Sequence, residues 1–135
     1  MLEALRLYPP VVYITREAIA DDTVAGEPVR PGALIWISPW VLHRHRKFWD
    51  QPTTFRPDRF ANMPASWNNQ GAFIPFGVGP RICIGAAFAI AEAQIMLATL
   101  FSSFKIKRED LRPVLPVASV TTAPSYEPLF QLEHV

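Results

Sequence analysis

The most extended apolar pattern in the chain covers residues 84–104 and predicts one long helix. Alanine and large apolar side chains dominate this stretch, and Glu92 and Gln94 are its first polar interruptions. The uninterrupted apolar run over residues 82–91 is too short to span a bilayer. We therefore expect a helix whose large side chains, among them Phe88 and Ile95, pack in the core.

Shorter patterned segments predict a first helix and several small strands, separated by proline, glycine and aspartate. The first half contains, in chain order, a helix end over 1–7, an extended run over 11–19, a strand and tight turn over 24–29, a strand over 33–37 and a short helix over 39–44. In the second half we expect a strand over 105–107 and a hairpin that pairs 119–122 with 129–133.

Residues 48–71, here called the meander, combine prolines and aromatic residues without helical or strand periodicity. This composition indicates ordered coil that packs against the rest of the protein. Such a segment has little backbone pairing of its own, so we expect side chains from elsewhere to hold it.

Composition narrows the class of protein. The 135 residues are 50% hydrophobic and 19% charged, which is typical of one modest globular domain. A formal net charge of +1 gives no reason to expect nucleic acid as a partner. A single cysteine excludes an intrachain disulfide and suits a reducing compartment, so a cytoplasmic location is favoured, while membrane anchoring stays undetermined.

That cysteine, Cys83, lies within residues 76–85, here called the cysteine loop, where a turn rich in glycine and proline gives way to the predicted long helix. A lone cysteine is most often a small buried apolar residue. At the start of a helix, however, free backbone N–H groups and the helix dipole stabilise a thiolate. A thiolate can be a strong axial ligand of haem iron.

The neighbours of the cysteine favour this second role. Gly77 and Gly79 lack a Cβ, so a flat cofactor can approach the backbone and the turn can adopt positive φ. Arg81 can pair with a carboxylate on the cofactor, and Gly85 lets the helix start lie close to a planar ring. The chain offers poor alternatives here, because Ile82 replaces the third glycine of a dinucleotide fingerprint and three scattered histidines with one cysteine make a poor zinc site.

The spacing Phe-x-x-Gly-x-Arg-x-Cys-x-Gly in this loop resembles the haem-binding loop of the cytochrome P450 monooxygenases. The resemblance implies that Cys83 is the axial ligand of haem iron and that Phe76 packs on the thiolate side. It also implies contacts to the cofactor from the other loop positions that match the pattern, which are Gly77, Gly79, Arg81 and Gly85.

Two further motifs match the same family. Glu3 and Arg6 are three residues apart on one predicted helix face, which alone would indicate an ordinary surface pair. In the family, a Glu-x-x-Arg helix pairs with an arginine of a Pro-x-Arg-Phe segment, which here contains Arg59. The resemblance implies a structural triad of Glu3, Arg6 and Arg59 that fixes the meander behind the haem.

The extended run after the first helix is similar to the family strand that reaches a haem propionate, which assigns this role to Arg16. Val11, Val12 and Tyr13 would then line the substrate side of the haem. His43 most simply forms a structural surface pair with Arg44, although the resemblance also allows it to reach a propionate.

Taken together, these motifs imply a mainly α protein with small β-sheets (α+β), which forms the incomplete, C-terminal proximal part of a single cytochrome P450 domain over residues 1–135. The long distal helix of the family, with its acid and alcohol pair for proton delivery, has no counterpart in this sequence. We therefore expect a fragment or truncated product that is inactive by itself.

The family function is insertion of one atom of O₂ into an apolar small-molecule substrate on haem iron. The resemblance implies electrons from NAD(P)H, which arrive through a flavoprotein or ferredoxin donor. Two alternatives stay open, namely a non-catalytic remnant that binds haem weakly or not at all, and a haem-thiolate isomerase or peroxygenase on the same scaffold.

Overall fold

The computed structural model describes residues 1–61 and 71–135, and within these ranges helices combine with small antiparallel sheets. The helices are α1 (Leu2–Leu7), α2 (Pro39–Leu42) and α3 (Ala86–Ser103), with 3₁₀ turns at Pro57–Phe60 and Gly79–Arg81. The strands are β1 (Ile14–Glu17), β2 (Asp22–Val24), β3 (Glu27–Val29), β4 (Leu34–Ile37), β5 (Phe104–Arg108), β6 (Pro116–Ala118), β7 (Thr122–Pro124) and β8 (Phe130–His134). The expected mixture of helices and small sheets is confirmed.

Strands β1 and β4 pair in an antiparallel ladder, with Ile14 opposite Ile37 and Glu17 opposite Leu34. Side chains alternate in burial along β1, so Ile14 and Arg16 are half-buried on one face while Thr15 and Glu17 are exposed on the other. This alternation places Arg16 on the same side of the sheet as Ile14.

The C-terminal strands pair differently from the prediction. Strand β8 pairs with β5, whereas β6 and β7 form their own short hairpin. The predicted strand over 119–122 is therefore wrong, because most of it is the turn of the β6–β7 hairpin, where the Ser119 N–H donates to the Thr121 carbonyl at 3.2 Å. The turn over residues 119–121 closes a shorter loop than the predicted hairpin and so costs less entropy, and β8 pairs instead with β5, which is more distant in sequence.

The described core is small and unusually polar. Its buried apolar members are Leu7, Trp49, Phe73 and Ile74. Three charged or titratable side chains are buried with them, which are Glu3, Arg6 and His43. Ionisable side chains are rarely enclosed unless they are paired, so this cluster must be held by specific hydrogen bonds.

Helix α3 has no buried residue, contrary to the expectation that its large side chains form the core. Phe88 is 71% exposed and Ile95 is 67% exposed. The helix is also long and apolar enough, by length and composition, to cross a membrane, with a mean hydropathy of 1.4. The uninterrupted apolar run over residues 82–91 was too short to predict a span of this length. The same composition is required of a helix that other protein elements surround on all sides.

The exposed surface of α3 predicts self-association of this chain in water, because a large contiguous apolar patch favours contact over solvation. We expect sedimentation velocity to show oligomers that a mild non-ionic detergent disperses. A double change, Phe88→Glu with Ile95→Glu, should shift the chain toward monomer. The control is Ile19→Glu, since Ile19 is 96% exposed but lies outside α3. A monomeric parent chain, or an equal effect of the control, would contradict the prediction.

Candidate functional site

Backbone hydrogen bonds close the cysteine loop into a compact double turn. The Cys83 N–H donates to the Phe76 carbonyl at 2.9 Å, and the Gly77 N–H donates to the Ile74 carbonyl at 3.1 Å. Gly77 and Gly79 have φ of +79° and +71°, values that other residues rarely adopt. The sequence prediction that these two glycines serve positive φ is therefore confirmed, and the loop geometry follows from them.

The cysteine lies between this turn and the first turn of α3. Its side chain is a free thiol and is exposed. The Cys83 carbonyl accepts the Ala86 N–H at 3.2 Å, so the residue is fixed directly before the helix. Gly85 occupies the N-cap position of α3, and a Cβ there would lie 3.8 Å from the Cys83 sulfur, which is ordinary contact. The thiol is thus held by ordered backbone on both sides while its sulfur stays accessible.

A cavity of about 530 Å³ opens beside this thiol. It brings together seven of the residues predicted from sequence, which are Phe76, Gly77, Arg81 and Cys83 from the cysteine loop and Val11, Tyr13 and Arg16 from the opposite segment. Its other lining residues, Pro10, Ile14, Thr15 and Pro75, were not predicted. The alternation along β1 could have identified Ile14, because it lies two residues from Arg16 on the same face.

The remaining predicted positions lie around this cavity. Val12 lines a neighbouring cavity of about 320 Å³, bounded by Tyr13, Trp40 and the β6–β7 hairpin. Gly79 lines a third cavity, between α1 and α3 on the other side of the loop. Pro75, Phe76 and Gly77 line both this third cavity and the one beside the thiol.

The chemistry of the main cavity matches a flat apolar cofactor with anionic groups. Its described lining holds two guanidinium groups, from Arg16 and Arg81, and no carboxylate. The Arg16 Nη1 donates to the Thr15 carbonyl at 2.8 Å, and its other donors remain for a ligand. Apolar walls, two cations and one accessible thiol suit haem, whose propionates are anionic and whose iron accepts a thiolate.

The structure brings Glu3, Arg6 and Arg59 into direct contact. Arg6 binds Glu3 in a bidentate manner, with Nε to Oε2 at 2.7 Å and Nη2 to Oε1 at 2.8 Å. The Arg59 Nε donates to the Glu3 Oε1 at 3.0 Å, and the Arg56 backbone N–H donates to the same oxygen at 2.9 Å. Burial alone would raise the pKa of Glu3, but these hydrogen bonds outweigh it and lower the pKa.

The two arginines also bind the meander through its backbone. Arg6 donates to the carbonyls of Pro52 and Thr54 in the meander, and also to the carbonyl of His43, which precedes it. Arg59 donates to the carbonyls of Asp50, Gln51 and Thr54. These bonds provide the side-chain support expected for residues 48–61, whereas the predicted meander positions 62–70 lie outside the described residues.

His43 occupies a different place from both sequence expectations. Its side chain is 0% exposed, so it is no surface residue, and it does not line the cavity beside Cys83. One ring nitrogen faces the Arg6 carbonyl at 3.1 Å and the other accepts the Ile74 N–H at 2.8 Å. Both nitrogens are therefore engaged, and the assignment of His43 to a propionate is corrected to a buried structural position.

Comparisons with known proteins agree with this geometry. The sequence matches the family model of cytochrome P450 over residues 1–130. The chain is similar to cytochrome P450 CYP82D47 from Panax ginseng, with 45% identity over 106 residues that cover 76% of this chain and 29% of the relative. It is also similar to a cytokinin hydroxylase from Arabidopsis thaliana, with 37% identity over 125 residues that cover 92% of this chain and 24% of the relative.

Solved structures give the same result. The structure of retinoic acid-bound cyanobacterial CYP120A1 superposes with a TM-score of 0.88 at 27% identity, covering 99% of this chain and 31% of that one. The chain therefore belongs to the cytochrome P450 family, whose members bind haem and use NAD(P)H through redox partners. It spans about a quarter of the length of the curated relatives it matches.

The triad geometry predicts an order of destabilisation upon removal of each arginine. Arg6→Ala leaves the buried Glu3 carboxylate without its bidentate partner and should cost about 3–5 kcal/mol. Arg59→Ala leaves that pair in place and should cost about 1.5–3 kcal/mol. Arg59→Lys should rescue little of this, because an ammonium cannot reproduce the planar fork.

Urea unfolding in a detergent that keeps the chain monomeric measures these differences. The matched control is Arg56→Ala, since among the described residues the Arg56 side chain binds the exposed Asp50 alone, while its backbone N–H keeps the bond to Glu3. We expect this control to cost less than about 1 kcal/mol. Equal losses for Arg56→Ala and Arg59→Ala would show that the triad does not hold the meander.

Proposed function

We propose that this chain provides the thiolate side of the haem site of a monooxygenase that acts on an apolar small-molecule substrate. The observation that carries the proposal is the accessible sulfur of Cys83, which lies at a largely apolar cavity that also holds Arg16 and Arg81. The names of the relatives, such as a cytokinin hydroxylase, support an oxygenase class without identifying the substrate.

In this proposal each lining residue has a distinct task. Cys83 binds the iron through its sulfur, and the Phe76 ring packs beside that sulfur and restricts access of water. Arg16 and Arg81 approach from different segments, so they can neutralise the two propionates of one haem. Val11 and Tyr13 line the opposite segment of the same cavity and would contact the substrate.

When bound, haem would supply the oxidative chemistry, since a thiolate ligand of its iron favours O–O cleavage. The residues of this chain orient the haem, keep the thiolate ligated and exclude water. Electrons from NAD(P)H would arrive through a flavoprotein or a ferredoxin. In this proposal the described residues would wall the haem from the thiolate side, so we expect no oxygenation by the isolated chain with any electron donor.

Thiolate ligation gives a direct spectroscopic test. Haem added to the chain in non-ionic detergent, then reduced and exposed to carbon monoxide, should give the red-shifted Soret band of a thiolate ligand, with less than one haem bound per chain. Cys83→Ala should abolish this band, because the chain has no other cysteine. A band that persists in the variant would refute the assignment.

The proposed binding of haem propionates by Arg16 and Arg81 predicts a loss of affinity without a change in the spectrum. Arg16→Gln and Arg81→Gln should each weaken haem binding roughly tenfold to a hundredfold, because one charge-assisted hydrogen bond is lost, and should leave the position of the band unchanged. Arg46→Gln is the matched control, since Arg46 is exposed and does not line the cavity. An equal loss of affinity in the control would show that only net charge matters.

A further inference from the structure

The buried ring of His43 joins two parts of the structure that are distant in sequence. It stacks on Phe73 with ring centroids 5.1 Å apart, and its Nε2 accepts the Ile74 N–H at 2.8 Å. An amide N–H can only donate, so this nitrogen must carry a lone pair. The proton of the neutral ring therefore lies on Nδ1, which donates to the Arg6 carbonyl at 3.1 Å.

The connection to α1 runs in both directions. While the His43 ring donates to the Arg6 carbonyl, the Arg6 Nη1 donates to the His43 carbonyl at 2.7 Å. The next residue, Arg44, donates to the Leu7 carbonyl. Two successive side chains thus bind carbonyls at the C-terminal end of α1, which a helix of six residues leaves without helical partners.

The connection to the cysteine loop runs through Ile74. Its N–H is bound by His43, and its carbonyl accepts the Gly77 N–H that forms the first turn of the loop. Two residues after Ile74, the Phe76 carbonyl accepts the Cys83 N–H. A shift at Ile74 would therefore move the turn that holds Cys83.

The surroundings of His43 oppose a positive charge on its ring. Arg6 faces it from α1 and Arg44 follows it in the chain, while the carboxylate of Glu3 is engaged by Arg6. The segment over residues 71–76 contributes no titratable side chain. Burial, assisted by these two guanidinium groups, lowers the pKa of His43 to about 4.

We propose that His43 is a positioning residue that fixes the cysteine loop to α1, and that protonation of its ring releases the loop. A proton on Nε2 removes the acceptor for the Ile74 N–H, so the buried ring cannot keep that bond when it is charged. The consequence for haem rests on the proposed function of Cys83, whereas the link between His43 and Ile74 does not.

The direction in which pH changes the release equilibrium follows from the difference in His43 pKa between the held and the released loop. In the released loop the imidazole returns to an ordinary pKa near 6.5, so release takes up a proton. The restraint is complete above pH 6.5 and weakens as the pH falls toward 4. The equilibrium for release should rise by up to about tenfold per pH unit within this interval, and it approaches its full change of roughly 300-fold only below pH 4.

Amide hydrogen exchange measured by NMR on the haem-free chain in non-ionic detergent tests this inference. The readout is the protection factor of the Ile74 amide between pH 7.5 and 4, corrected for intrinsic exchange. In the parent chain, protection should be high at pH 7.5 and should fall by up to about tenfold per unit below 6.5. Nitrogen shifts of the imidazole should show His43 in the neutral Nδ1–H form at pH 7.

Three variants separate positioning from general stability. His43→Gln supplies an acceptor that does not titrate, so Ile74 protection should persist and lose its pH slope above pH 5. His43→Phe keeps the stacking surface without an acceptor and should lose Ile74 protection at all pH values. His45→Gln is the matched control, because His45 is exposed and makes no bond to Ile74, and it should keep the parent slope.

An unprotected Ile74 amide in the parent chain at pH 7.5 would overturn the proposal. The same slope in His43→Gln as in the parent chain would also overturn it, because another group would then control release. If His43→Phe does not fold, the comparison of the parent chain with His43→Gln still decides. Since no haem is present, a failure of the proposed haem role leaves this result unaffected.

Discussion

The carboxylate of Glu3 and the guanidinium of Arg6 are completely enclosed, although they lie on a helix of only six residues. Each of these charges alone would cost several kcal/mol to bury. The pair is tolerated because the Arg6 donors reach both carboxylate oxygens and three main-chain carbonyls, while the arginine also stacks over the Trp49 ring, 5.1 Å from its centroid. The short helix is thus stable only with its partners in place, since helices of this length do not persist alone.

This arrangement explains the irregular sequence of the meander. Arg6 and Arg59 recognise its main-chain carbonyls, so the meander is specified by backbone path more than by buried side chains. Gln51 shows the effect, because it adopts a φ of +44°, uncommon for a residue other than glycine, while its carbonyl accepts a bond from Arg59. A segment that is held through its main-chain carbonyls needs no helical or strand periodicity in its side chains.

Features that depend on residue type could be predicted from the sequence, whereas features that depend on tertiary contacts could not. The positive φ of Gly77 and Gly79 could be predicted directly from residue type. The spacing of Glu3 and Arg6 alone indicated an exposed pair, and only the family resemblance implied the triad with Arg59. The pairing of β8 with β5 could not be predicted in this way, because the sequence pattern does not decide between a partner close in sequence and a distant one. His43 was missed for a related reason, because only the tertiary fold shows that its two ring nitrogens meet a carbonyl and an amide.

The exposure of α3 within the described residues could not be predicted from its composition, because an apolar helix of this kind indicates burial.

The buried charged groups of α1 find their partners among the described residues, whereas the apolar surface of α3 stays exposed. The polar contacts that place the cysteine loop, from Glu3 through Arg6 and His43 to Ile74, lie entirely within the described residues. The apolar surface of α3 has no comparable cover within them. Directional hydrogen bonds between described residues therefore hold the cysteine loop. The tendency of the chain to associate depends on the apolar surface of α3, which those bonds do not bury. The directional contacts around the cysteine loop and the burial of apolar surface are consequently separate properties of the described residues, and only the first is satisfied within them.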